Sequence, residues 1–266
     1  MGSIKLGIYD RDYSSLFQDE IDEKERLDKE YHVERMFHPS PYTSYPSAVR
    51  HNMSLFPNNY LDPVELRDKQ RISDICNEYK DLLCTNDLNE AKILRFIKEK
   101  QYYMIPASIF TLFSFGHHDA FLFREFPIGN DYRADYLLIG RSSDGYSFVL
   151  VEFEHPNSNI TIEDGELGKA FRDGIKQIKE WQRYLEFGFS SITNDLKKYT
   201  NEQLPDEMYT FDSTRFHYVV VAGRRSDFTD KTYRIRREFL KDKDIALLHY
   251  DNLYDYAKTL MEHGNY

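Results

Sequence analysis

Two glutamates close an apolar run, Val149-Leu150-Val151-Glu152-Phe153-Glu154, that otherwise reads as a buried strand. Burying a carboxylate costs several kcal/mol unless its charge is compensated, so an i, i+2 pair on one strand face asks for a cation. A third acid comes from the preceding strand, because residues 134–154 read as a hairpin turning through Arg141-Ser142-Ser143-Asp144-Gly145. With Ser143-Asp144 as the two-residue loop, Asp135 lies opposite Glu152; with Asp144-Gly145 it faces Glu154. Either register gathers the three acids on one face, with facing Cβ atoms roughly 4.5–5.5 Å apart and Glu152 about 6.7 Å from Glu154 at ~3.3 Å per residue. That span suits one hard-cation site, or two adjoining ones, for Mg²⁺ or Mn²⁺, which take oxygen ligands and keep waters for a phosphate substrate. An ion there would lower the pKa of a water and neutralise charge on a phosphodiester transition state. Spacing alone leaves two other readings open: solvated acids at an exposed strand end, and an acid/base pair that works without metal.

Cations that could face such a site recur along one helix pattern, where Lys169, Arg172, Lys176, Lys179 and Arg183 are spaced 3, 4, 3 and 4 apart. Lys169 and Arg172 are read as nucleic-acid contacts, and a solvated basic face is the plainer reading of Lys179 and Arg183. A second group, Arg224, Arg225, Lys231, Arg234, Arg236 and Arg237, follows an apolar strand and offers a phosphate-contact patch or an ordinary charged connection. His155 follows Glu154 and points to the opposite strand face by alternation. His117, His118 and Asp119 are a further group, but adjacent His117 and His118 diverge on helix or strand alike and fit a loop role. Glu90 is a further acid in the first turn of a helix, where the helix dipole also favours it. No P-loop, dinucleotide-binding glycine motif or nucleophile elbow is present, which removes nucleotide hydrolysis and α/β-hydrolase chemistry from the leading readings.

The elements that must hold these residues are legible as period changes. Residues 86–105 place Leu88, Ile93, Phe96 and Ile97 on one helical face behind a cap at Asn86 or Asp87. Short apolar runs at 120–128, 134–140, 146–154 and 216–223 read as strands of a covered sheet. A helix pattern occupies 167–188 and stops at Gly188, and a final strand at 245–248 leads into a helix capped by Asp251 or Asn252. The order helix, three strands, helix, strand, helix, strand, helix predicts an α/β domain with a mixed sheet over residues 87–266. Residues 1–86 form an N-terminal extension. Its charged first part gives way to an irregular Pro-, Tyr- and Ser-rich stretch, and then to a helix beginning at Pro63.

With 266 residues and 41% hydrophobic content the chain can bury a real core, and a net charge of −10 argues against a broadly basic surface while permitting a local basic patch. Cys76 and Cys84 match no zinc spacing. Reduced thiols, together with an N-terminus lacking an apolar leader, lead to the expectation of a cytoplasmic protein.

Asp135, then Glu152-Phe153-Glu154 on the next strand, then a helix with Gln177 and Trp181 in Gln177-Ile178-Lys179-Glu180-Trp181, resembles the core of PD-(D/E)XK nucleases. With the Ala222-Gly223-Arg224-Arg225 and His249-Tyr250-Asp251-Asn252-Leu253 segments, residues 87–262 are similar to the C-terminal catalytic domain of the Shedu anti-phage defence proteins. The resemblance implies a metal-dependent DNA endonuclease with Asp135, Glu152 and Glu154 around Mg²⁺ or Mn²⁺, Gln177 beside the metal, and a homotetramer; Trp181, four residues on, reads as core packing between helix and sheet. The extension would regulate the nuclease, sense DNA ends or build the oligomer. One position departs from the pattern: Glu154 stands where the superfamily usually carries lysine. Glu154 would then be a ligand or general base, with Lys176 as the displaced catalytic cation, or the site would be one that binds nucleic acid without cutting it. Arg224 and Arg225 complete the expected DNA contacts.

Overall fold

The computed structural model describes residues 4–34, 41–158, 160–162 and 166–266. Strands β1 (Asp119–Ile128), β2 (Tyr132–Ser142) and β3 (Gly145–Phe153) form an antiparallel meander, and β4 (Phe216–Val221) and β5 (Ile245–Leu248) extend it in parallel. The result is one mixed sheet in the order β1-β2-β3-β4-β5. The helices are α1 (Gln18–Glu34), α2 (Ser47–Asn52), α3 (Lys69–Leu83), α4 (Glu90–Lys100) and α5 (Met104–Ala107) ahead of the sheet. Helix α6 (Lys169–Leu196) follows β3, α7 (Asp230–Lys243) follows β4, and α8 (Tyr250–His263) follows β5. Among the described residues no helix is long and apolar enough to cross a membrane.

Both sheet faces are covered, which is why β3 and β4 read as unbroken apolar runs. One face packs Val149, Val151 and Phe153 with Ile72, Ile75 and Tyr79 of α3, Ile93 and Ile97 of α4, and Leu253 and Ala257 of α8. The other packs Phe148, Leu150 and Val220 against Phe171, Ile175, Ile178, Trp181 and Leu185 of α6. The β2–β3 turn resolves the register: Ser142 pairs with Gly145 and Tyr136 with Val151, so Ser143-Asp144 is the loop and Asp135 stands at the level of Glu152. Gly145 takes φ +96°, which a residue with a side chain rarely adopts.

Several boundaries move from those expected. The helix foreseen from Pro63 is a 3₁₀ turn over Pro63–Arg67, and α3 begins at Lys69 because Asp68 caps it by accepting from the Arg71 amide. Helix α4 is capped by Asn89 rather than Asn86 or Asp87. Helix α6 runs eight residues past Gly188, since Phe189, Ile192 and Leu196 keep its apolar face buried; Gly188 is there because the Tyr184 ring lies over it. Helix α8 is capped by His249, whose Nδ1 accepts from the Asn252 amide while Asn252 Oδ1 accepts from the His249 amide. The stretch expected to be irregular contains α2 and two 3₁₀ turns, and its residues 37–40 lie outside the described residues.

That stretch is anchored to the sheet. Buried Arg50 forks onto buried Asp62, with Nη2 2.6 Å from Oδ2. Residues 59–61 cover the outer edge of β1: the Leu61 amide donates to Ala120 O at 2.8 Å, Asn59 Nδ2 to Leu122 O at 2.8 Å, and Tyr60 bridges Phe121.

Candidate functional site

The carboxylates gather where β2 and β3 stop pairing. Odd-numbered Phe121, Phe123, Leu137 and Ile139 face α6, but so do even-numbered Phe126, Ile128 and Ala134. Alternation therefore slips by one residue in β1 and β2 together, at the level of Glu125 and Asp135, and Glu125 sits at φ +47°. A non-glycine residue in this region is strained, and such strain clusters at functional sites. Freed from regular alternation, Asp135 Oδ2 accepts from the Phe153 amide at 2.7 Å and replaces the next rung of the ladder.

Glu152 faces α6 and is 7% exposed. Gln177 of α6 donates from Nε2 to Glu152 Oε1 at 2.6 Å. The other oxygen, Oε2, is buried with no hydrogen-bond partner. Glu154 lies just past the end of β3; its amide donates to Val221 O at 2.8 Å and its carbonyl accepts from Tyr250 Oη at 2.7 Å. Its side chain lies over Gly174 of α6, where an added Cβ would sit 3.3 Å from Glu154 Cγ and 2.7 Å from Val220 Cγ1. The site is thus at the carboxyl ends of β3 and β4, the usual place for ligands in open α/β sheets.

Among the described residues no cation forms an ion pair with Asp135, Glu152 or Glu154. Burial, then the fields of Asp135, Glu154 and Glu90, push the Glu152 carboxyl far above the usual carboxylate range. Burial also raises Asp135, against the Phe153 hydrogen bond and with help from Glu90 and Glu125. Burial and the fields of Glu90, Asp173 and Asp135 push Glu154 up to about 7. Glu90, at the start of α4, is itself raised by burial and is the fourth member of the cluster. The sequence offered only its place in a helix's first turn; the fold brings α4 against the sheet and so delivers it to the site.

The oxygens of Asp135, Glu152 and Glu154 do not all lie within 4.8 Å of one another; among the described residues, His51, Asp62 and Glu65 are the set that does. That set is spoken for, because both Asp62 oxygens accept from Arg50 and Oδ1 also accepts from the Val64 amide. A cleft beside Asp135 is lined by Arg95 and Lys98 of α4, Arg124, Glu125 and Tyr136. Arg124, whose buried Nε has no hydrogen-bond partner, carries no sequence signal beyond its type.

The other expected residues fall in varied places. Lys169 is exposed, lies 3.8 Å from Asp173, and is the cation whose field lowers Glu154. Lys176 is exposed and makes no ion pair or side-chain hydrogen bond with the described residues. Arg172 donates to Leu167 O at 3.2 Å. Arg224 is committed within the fold: its Nε and Nη2 reach Asp251 at 3.0 and 2.7 Å, and Nη1 reaches Leu83 O. Arg225 pairs with Asp255 at the surface. His155 is exposed, its Nδ1 accepting from the Asn157 amide. His118 reaches Ser143, and Asp119 pairs with Arg141 at 3.2 Å. Trp181 is fully buried between α6 and the sheet.

Fold and site together define an α/β protein with a five-stranded mixed sheet and, at the carboxyl ends of its central strands, a buried Glu152 among half-buried carboxylates. Residues 87–254 match the family model described as Shedu protein SduA, C-terminal, and the chain belongs to the Shedu family. Membership points to a part in anti-phage defence. The chain has no match among curated proteins.

Proposed function

We propose that the chain is a metal-dependent DNA endonuclease with a PD-(D/E)XK-type core, acting in anti-phage defence. The observation that carries this reading is Glu152: a buried carboxylate with one oxygen held by Gln177 and the other without any donor, beside two further acids of raised pKa. Such a group costs several kcal/mol as a bare anion and is relieved by a cation. The donor set is all oxygen and fits a hard divalent ion. Asp135, Glu152 and Glu154 would hold Mg²⁺ or Mn²⁺, which when bound supplies charge neutralisation at the phosphodiester and a more acidic water.

The protein's own groups have separable tasks. Gln177 fixes Glu152 through Oε1 and leaves the buried Oε2 without a donor. Tyr250 and Val221 clamp the backbone of Glu154 from two sides. Glu154 has two alternative tasks: as a ligand it completes the oxygen set, and left unligated, where burial and its acidic neighbours raise it to about 7, it takes a proton from the attacking water. The positive charge that the superfamily draws from a lysine at this position would come from α6, whose exposed Lys169 has a field that reaches Glu154 and whose exposed Lys176 adjoins Gln177.

A second reading, a module that holds nucleic acid without cutting it, draws on the absent lysine and on the open spacing of the three carboxylates. Incubating supercoiled plasmid with the purified chain and Mg²⁺ or Mn²⁺ separates the two. Nicking is expected, with Asp135→Ala and Glu152→Ala each slower by more than about 100-fold, above the range for losing a supporting residue. Equal or absent nicking by all three proteins would sink the nuclease reading, and salt-sensitive DNA binding that persisted would favour the second.

A further inference from the structure

The outward face of α6 is patterned over most of its length. At about 100° per residue, Lys169, Arg172, Lys176, Lys179, Arg183 and Phe187 fall within a sector of roughly 80°. All six are exposed, and the buried positions Phe171, Ile178, Trp181 and Leu185 lie on the opposite side. The acids Asp173, Glu180 and Glu186 fall outside the sector, so one sign of charge runs along it in a chain whose net charge is −10. Lys176, Lys179 and Arg183 make no ion pair or side-chain hydrogen bond with the described residues. Phe187, at the far end, is 90% exposed, more than any other large apolar side chain described.

The stripe and the carboxylates share this helix: Gly174, against Glu154, lies on its inward side, Gln177, which holds Glu152, lies between the two sides, and Lys169, at the start of the stripe, is the cation whose field reaches Glu154. From Arg172 to Phe187 the helix rises about 22 Å at ~1.5 Å per residue. Free cations in a row release counterions from a phosphate backbone. An exposed ring among them has no apolar neighbour in the sector to form a protein-binding patch, but it is the platform on which an unpaired base stacks. A closed duplex presents no free base face to such a ring.

We propose that the α6 stripe docks an unpaired segment of a DNA strand, with Arg172, Lys176, Lys179 and Arg183 on its phosphates and Phe187 stacked on a base. The proposal rests on the nucleic-acid reading of the carboxylate site and adds where the strand lies and that it is unpaired there.

The test is fluorescence anisotropy of a labelled single strand, and of the same sequence as duplex, with the full chain in chelator across a salt series. The single strand is expected to bind more tightly. Replacing Lys176, Lys179 and Arg183 together by Gln should flatten the dependence of log affinity on log salt by about 2, at ~0.7 per phosphate contact on a single strand. Phe187→Ala should weaken single-strand binding by about tenfold at unchanged slope, and Phe187→Trp should restore it. All four side chains are exposed, so unchanged melting temperatures serve as the control for folding. An unchanged slope in the triple variant, or single-strand affinity indifferent to Phe187→Ala, would overturn the proposal. So would a loss of self-association or of protein capture in its place. If the wild-type chain nicks plasmid and the triple variant does so with the same salt dependence, the stripe is refuted while the nuclease reading stands. If the wild-type chain binds no single strand at any salt in chelator, the stripe falls, and the plasmid assay with Mg²⁺ or Mn²⁺ decides the nuclease reading separately.

Discussion

At residue scale the site turns on the protonation of Glu152. Its folded pKa is raised by burial and by neighbouring acids, so between its ordinary range near 4.5 and the raised value the folded state binds more protons than the unfolded one. The sign follows: without metal, this group costs stability progressively as pH rises through that window. Glu152→Gln keeps the shape and removes the titration. In chelator, the variant should match the wild type near pH 5 and exceed it near pH 8 by more than about 1.4 kcal/mol, the worth of one pK unit. Mg²⁺ or Mn²⁺ should then stabilise the wild type at the higher pH and leave the variant almost unmoved. Urea melts at the two pH values check this; parallel curves would mean that Glu152 is not held against its charge. Asp119 and Glu65, also raised by burial, are common to both proteins and cancel. The position of Glu152 was readable from the sequence because strand alternation and hairpin arithmetic depend only on residue order. The slip at Glu125 and Asp135 was not, because a left-handed φ at a glutamate leaves no mark in composition.

At the scale of the element, α6 holds the site in place, and Gly174 sets how closely it approaches the sheet. Gly to Ala in a helix interior normally stabilises by roughly 0.5–1 kcal/mol. Here the new Cβ would stand 2.7 Å from Val220 Cγ1 and 3.3 Å from Glu154 Cγ, so the helix must lift from β4. Overpacking of this kind costs about 1–3 kcal/mol and outweighs the propensity gain. Gly174→Ala should therefore destabilise the chain in chemical denaturation, and adding Val220→Ala should recover part of the loss. A stabilised single variant would show that the approach is looser than the structure has it. Helix boundaries were less legible than helix existence for a related reason. The apolar period marks where α6 and α3 pack, but Gly188 reads as a stop unless Tyr184 is known to lie over it, and His249 is an uncommon cap recognisable only from its bond to Asn252.

At the scale of the whole molecule, the family match begins at residue 87, yet the chain before it is built into the sheet. Strand β1 would be an open edge, with its outward amides and carbonyls free to pair with another chain. Residues 59–61 occupy that edge, and Phe56 packs edge-on against Phe121 and Phe123 with ring centroids 5.1 and 5.2 Å apart. On the opposite face α3 contributes Ile72, Ile75, Cys76 and Tyr79 to the core that contains β3 and α8, and Tyr79 donates to Tyr250 O at 3.3 Å. Arg50 and Asp62 lock the covering segment in place, and removing one partner of such a buried pair costs about 3–5 kcal/mol because the other charge is left unpaired. A chain reduced to residues 87–266 therefore loses an edge cover and one wall of a core together. It is expected to self-associate and to bind a hydrophobic dye where the full chain does not, and Asp62→Asn in the full chain should lower stability without exposing the edge completely. Light scattering and thermal melts measure both. A truncated chain that stays monodisperse at the full chain's association state, and melts within a few degrees of it, would show that residues 1–86 are dispensable to the fold and free to serve a separate role.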